Sequence, residues 1–141
     1  MDGNLQDRRE TILLHSSSYH GRLEMAQRLL DVGVNSNAKN HRSETALHMV
    51  SRGKCDSQDG VRVARLLLER GADVNVQRRD QWTPLHAASY FGNAAIAELL
   101  LEHGADASAE TDDGETPLHV VSCGEYDEAT TKVKGKLELH D

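Results

Sequence analysis

Cysteine occurs twice, proline twice and aromatic residues only five times in these 141 residues, as Tyr19, Trp82, Tyr90, Phe91 and Tyr126. Two cysteines without a C-x-x-C pair exclude a disulfide scaffold and a thiolate zinc module, and together with the lack of an N-x-S/T sequon they fit a reducing compartment. No apolar run approaches the roughly 20 residues that a bilayer-spanning helix needs. Met1-Asp2-Gly3-Asn4 does not open like a secretory signal, so a cytoplasmic or nuclear setting and no membrane partner are expected. Positive charge is short as well: 16 Lys and Arg face 23 Asp and Glu, and the net −7 opposes binding to phosphate backbones. No glycine-rich phosphate loop precedes a helix, and no nucleophile stands at motif spacing from a base, so neither phosphate transfer nor covalent catalysis is indicated.

What the chain has is repetition. Thr83-Pro84-Leu85-His86-Ala87-Ala88 recurs in imperfect copies, and the aligned histidines His15, His48, His86 and His119 lie 33, 38 and 33 residues apart. Leu66-Leu67-Leu68-Glu69-Arg70-Gly71-Ala72-Asp73-Val74-Asn75 and Leu99-Leu100-Leu101-Glu102-His103-Gly104-Ala105-Asp106 keep the same step, with Gly71 and Gly104 also 33 apart. A 33-residue period carrying T-P-L-H-x-A marks the ankyrin repeat, and over nearly its whole length the chain resembles that family. The resemblance implies an all-α fold: a solenoid of stacked antiparallel helix pairs with projecting β-hairpin-like loops. One domain is expected over residues 1–141, with repeats near 10–42, 43–80, 81–113 and 114–141.

Each motif residue has a physical reason for its place. Thr45, Thr83 and Thr116 stand where a helix begins, so their hydroxyls can accept from the free N–H groups of the first turn. Pro84 and Pro117 fall at the first helical position, where no donor is lost. The second helix of each pair reads as an apolar stripe, Val63, Leu66 and Leu67 or Ile96, Leu99 and Leu100, ending at a glycine that takes a left-handed cap cheaply. The pattern predicts helices near 12–19, 23–31, 45–52, 61–70, 83–90, 94–102 and 116–123, and hairpins at 34–43, 72–81 and 105–114. A helix pair of this kind cannot bury its apolar face alone, so repeats two and three, flanked on both sides, should be the most stable.

Departures from the pattern carry their own expectations. Ile12-Leu13-Leu14-His15 lacks both the capping hydroxyl and the proline, and Ser16-Ser17 replace the small alanines, so the first repeat should fray. Five extra residues fall between the helices of repeat two, within Gly53–Gln58, which loop entropy tolerates. Ser18-Tyr19-His20-Gly21 and Ser89-Tyr90-Phe91-Gly92 match 71 residues apart, as do Val50–Asp56 and Val121–Asp127, so repeat four should carry a long loop too. That register puts Lys134 and Glu138 where Val63 and Leu67 stand, which reads as a polar capping helix over 131–141. The alternation in Lys132–Leu139 leaves a disordered tail open as the other reading.

Eight histidines invite a metal or catalytic role. Four are the motif histidines, which the resemblance assigns to hydrogen bonding within and between repeats. His20, His41, His103 and His140 lack the i, i+4 or paired-cysteine spacing that builds a zinc site. Asp56-Ser57-Gln58-Asp59-Gly60 offers half of a calcium loop without its alternating acids or closing glutamate, and is read as a solvated loop. Cys55 and Cys123, two repeats apart, are poorly placed for a bridge. No metal, cofactor or catalytic residue is therefore expected.

Recognition of another protein is what remains. In the family that this chain resembles, partners lie in a groove formed by hairpin tips and first helices, touched by the residue before T-P-L-H and by the two before the glycine that ends the first helix. That rule selects Trp82, Tyr90 and Phe91 in one repeat and Tyr19 in the first, aromatics that anchor interfaces because they bury much area at little entropic cost. Phe91 tucked under its neighbour and Trp82 flat on its own hairpin is the competing arrangement. Charges on the tips are segregated: Lys39, His41 and Arg42, then Arg78 and Arg79 with Asp80, then Glu110, Asp112, Asp113 and Glu115. The expected site is thus Trp82, Tyr90, Phe91, Arg79, Asp80, Tyr19, Arg42, Asp112, Asp113 and Glu115, on a monomeric, non-catalytic module for a protein partner. A nucleic-acid or metal-ion role and an enzyme are the minor alternatives.

Overall fold

A computed structural model describes residues 2–53, 58–123 and 128–139, and among these the chain is helical without a strand. The elements are α1 (Asp2–Tyr19), α2 (Leu23–Asp31), α3 (Ala46–Ser51), α4 (Gln58–Glu69), α5 (Pro84–Tyr90), α6 (Ala94–Glu102), α7 (Pro117–Cys123) and α8 (Glu128–Glu138). They form four antiparallel pairs in two layers: α1, α3, α5 and α7 stack as the inner layer, and α2, α4, α6 and α8 as the outer. Between the layers lies an aliphatic core. Each inner helix gives its motif leucine (Leu14, Leu47, Leu85 and, partly buried, Leu118), and the outer helices give Leu30, Leu67, Leu100 and Leu137.

The inner helices are held by one repeated bond. In each of repeats two to four, the motif histidine accepts the threonine backbone N–H at Nδ1: Thr45 to His48 at 3.2 Å, Thr83 to His86 at 3.3 Å and Thr116 to His119 at 3.1 Å. Its other nitrogen reaches across the stack. Nε2 of His15, His48 and His86 donates to the carbonyls of Glu44, Trp82 and Glu115 at 2.8, 2.9 and 2.8 Å. These partners require the neutral ring with its proton on Nε2 in His48 and His86.

Outer helices end alike. At Gly71, φ is +91°, the Ala72 N–H returns to Leu67 O at 2.9 Å and the Gly71 N–H to Leu68 O at 3.2 Å, a pair of bonds that satisfies the last carbonyls; Gly33 and Gly104 repeat it. A second ladder runs through the loops that follow. Asn37 donates to Gly71 O at 2.9 Å and accepts the Asp73 N–H at 2.7 Å, and Asn75 does the same to Gly104 O and the Asp106 N–H. Each hairpin tip closes on two backbone bonds: the N–H of Asn40, Arg78 or Thr111 donates to the carbonyl of Glu44, Trp82 or Glu115, and the N–H of Ser43, Gln81 or Gly114 returns to the carbonyl of Asn40, Arg78 or Thr111. The residue that turns each tip has a positive φ: Ser43 at 63°, Gln81 at 64° and Gly114 at 75°.

Three expectations are corrected. The first helix does not begin at residue 12 but runs from Asp2, because Leu5, Gln6, Arg8, Arg9 and Glu10 are good helix formers and no Thr-Pro start interrupts them. Gln58, Asp59 and Gly60 open α4 and are not part of a loop; residues 54–57 of that insertion, with Cys55, lie outside the described residues. In α8 the buried positions are Val133 and Leu137, while Lys134 and Glu138 face solvent. The register is offset by 70 residues from Val63 and Leu67, so repeat four has one residue less between its helices than repeat two. Two aliphatic side chains four apart make an inward stripe that a lysine and a glutamate cannot, and the helix settles on it against α6.

Three outcomes are expected. Burial pushes the His48 imidazole down from 6.5 to about 4, and His86 shifts the same way for the same reason. Below pH 6.5 the unfolded chain therefore takes up protons that the native repeats refuse, so stability is level above that pH and falls toward pH 4. His48 alone carries a loss of about 3 kcal/mol by then, and urea titrations between pH 8 and 4 measure it. Leu137→Ala should cost about 2–4 kcal/mol and Lys134→Ala almost nothing; the reverse order would restore the other register. Ser43→Gly should stabilise by about 0.5–1 kcal/mol in the same assay, since glycine takes the left-handed turn without strain.

Candidate functional site

The cleft between the inner helices and the hairpin tips gathers the aromatic residues. Trp82 is half-buried: its ring lies 5.3 Å from that of His86, and the Arg78 guanidinium sits 5.1 Å over it. Tyr90 meets Trp82 edge-on at 6.1 Å, and Phe91 meets Tyr90 edge-on at 5.0 Å, a geometry that ring quadrupoles favour. Tyr90 and Phe91 stay 44% and 52% exposed. Phe91 is thus displayed and not tucked away, whereas Trp82 does lie against its own hairpin. Tyr19, half-buried one repeat pair away, has the Arg52 guanidinium 5.9 Å from its ring. Tyr19, Met49, Arg52 and Phe91 share a hollow of about 340 Å³, which joins the first-repeat aromatic to the third-repeat cluster. Tyr126 lies outside the described residues.

The charges are less free than the sequence implies. Arg78 was read as part of a basic tip, yet it grips Asp80 with two bonds of 2.8 and 2.9 Å and reaches Glu44 at 3.3 Å. The Asp80 hydrogen bond holds the guanidinium above its ordinary range, and the reciprocal bond from Arg78 holds the Asp80 carboxylate below its own. Its cationic character is thereby spent inside the protein, and Arg79, exposed beside it, is the basic residue that this tip presents. Arg42 and His41 are exposed on the first tip, where Lys39 donates to Gln77 O at 3.3 Å. On the third tip Asp112 accepts from the Gln81 amide at 2.9 Å, Glu110 and Asp113 face solvent, and Glu115 is half-buried with its carbonyl taken by His86.

Glu44 and Arg52 belong to this site and were not picked from the sequence. Glu44 is only 1% exposed, with Arg52 at 3.6 Å and Arg78 at 3.3 Å; together with Trp82, Tyr90 and Phe91 these three line a hollow of about 230 Å³. A signal for Glu44 existed: it precedes Thr45 as Trp82 precedes Thr83, so the rule that chose the tryptophan covers it. Arg52 follows Ser51 as Tyr90 follows Ser89, which puts it in the same register on the inner helix.

The arrangement presents side chains for contact. Among the described residues no three or more His, Cys, Asp or Glu side chains come together as metal ligands, and no helix is long and apolar enough to cross a membrane. His103 turns its Nδ1 onto the Leu99 carbonyl of its own helix at 2.9 Å.

Known proteins fit this geometry. A family model described as ankyrin repeats (3 copies) matches residues 1–78 and again 54–131. Protein phosphatase 1 regulatory subunit 12A of Mus musculus and that of Rattus norvegicus are each 37% identical over 71 residues, half of this chain. The matched stretch spans only 6% of the length of those relatives. With its 33-residue motif, its stacked helix pairs and a family model covering most of its length, the chain belongs to the ankyrin-repeat family.

Proposed function

We propose that this chain is a non-catalytic, monomeric protein-binding module of the cytoplasm or nucleus, which holds a partner protein in the cleft between its inner helices and hairpin tips. Ankyrin repeats generally serve as protein–protein interaction modules, and the relatives named above are regulatory subunits, a role consistent with binding another protein. The observation that carries the reading is the row of rings formed by half-buried Trp82 and the displayed Tyr90 and Phe91, continued through a hollow to Tyr19 on a protein of few aromatics. Exposed aromatic side chains on one face of a polar protein are what interface anchors require. The acidic balance of the chain argues against nucleic acid as the partner.

Phe91 is the best side chain to test, because Trp82 also supports Arg78 and covers His86. Phe91→Ala should weaken capture of the partner from lysate at least about thirtyfold, the loss typical of an aromatic anchor, with the melting temperature unchanged. Met25→Ala, an exposed apolar residue of the outer layer, should leave capture intact. Equal capture by all three proteins would exclude the cleft.

A further inference from the structure

The N-terminal end of the cleft differs in chemistry from the rest of the molecule. Between α1 and the first hairpin tip is an open cavity of about 990 Å³, lined by Arg8, Ile12, Tyr19, Lys39, His41 and Met49 among others, and among the described residues none that lines it is acidic. On a chain with net charge −7 this is a local reversal of sign. Its apolar content is equally unusual: Ile12, on an inner helix, is 65% exposed. Tyr19 and Met49 continue the apolar floor into the hollow below Phe91. At the boundary stands Arg52, whose ion pair with Glu44 is long at 3.6 Å and whose Nη2, among the described residues, donates to the Met49 sulfur at 3.5 Å. A thioether is a weak acceptor, so this guanidinium has capacity left for a carboxylate.

Resting on the groove reading above, we propose that this cavity receives an acidic peptide segment of the partner that carries a large apolar side chain. The apolar side chain occupies the space among Ile12, Tyr19 and Met49. Flanking carboxylates meet Arg8 and Lys39 at the rim and Arg52 at the inner edge. A membrane surface is a poorer occupant, because a flat headgroup layer does not enter a recess between a helix and a hairpin tip. Nucleic acid is poorer too, since only a few cations line the cavity and the surrounding protein repels phosphate.

Selection of random linear peptides displayed on phage against the whole protein tests the assignment. Selected sequences should be rich in Asp and Glu around one or two large apolar residues. Fluorescence anisotropy of the best binder should show a Kd that rises with salt and rises about tenfold or more for Arg8→Glu/Lys39→Glu. Ile12→Ser, a change at an exposed position that folding tolerates, should weaken it comparably. Selection of basic or neutral sequences, or of none, overturns the proposal. So does tighter retention on phosphatidylserine–phosphatidylcholine vesicles than on any peptide. Binders lost on Phe91→Ala yet indifferent to Arg8→Glu/Lys39→Glu and Ile12→Ser would overturn this assignment while keeping the wider groove; binders indifferent to all of them would remove both.

Discussion

The bond from a motif histidine to the carbonyl of the next repeat is the interaction on which the rest of the structure depends. The inner helices α3 and α5 have six and seven residues, far below the length at which an isolated helix persists in water. They form because the histidine that supports the first turn, by accepting the threonine N–H, is also the residue that grips the neighbour. Helix initiation and stacking are therefore one event. Losing the bond leaves a buried imidazole and a buried carbonyl both unsatisfied, which costs more than the bond itself contributes.

The same bond positions the residues that line the cleft. Its acceptors are the peptide carbonyls of Glu44, Trp82 and Glu115, so the backbone of these residues is pinned without use of their side chains. This separates scaffold from surface: a carbonyl is present whatever the side chain, and the position can hold a glutamate in two repeats and a tryptophan in the third without disturbing the stack. On the outer side Asn37 and Asn75 do comparable work with side-chain amides, and there the residue type is constrained. Where serine stands in the third loop, Ser108 turns back onto Asp106 within its own loop.

Much of this was legible in the sequence. A fixed step between histidines locates helices, turns and glycine caps, because each is a local device that repeats with the motif. The readings that failed concern what no local device marks. Nothing at Ile12 starts a helix, so its true start had to come from the helix propensity of the preceding residues. At the other end the motif runs out, and carrying the 71-residue register past Asp127 put Lys134 inward; burial of Val133 and Leu137 outweighed the extrapolated spacing. Arg78 was miscounted as a free charge because its partners are two residues away in Asp80 and 34 away in Glu44, and only the second tip's fold brings all three together. The aromatic row, by contrast, followed from the family's contact positions, and its edge-to-face geometry required coordinates.

Pairing within the tips also decides what a partner meets along the cleft. Once Arg78 and Arg52 are paired with Asp80 and Glu44, the middle of the groove is aromatic and, apart from exposed Arg79, nearly uncharged. Unspent charge is left at its ends: Arg8, Lys39 and Arg42 near the first tip, and Glu110 and Asp113 on the third. A partner segment lying along this surface meets an apolar centre that supplies area and two ends of opposite sign that differ for its two possible directions. Reversing the segment leaves its contact with the rings unchanged while setting like charges against each other at both ends. On the reading proposed above, affinity and orientation would be carried by different residues, affinity by the rings of the third repeat and orientation by the charges of the first and last tips, so that each could vary without the other.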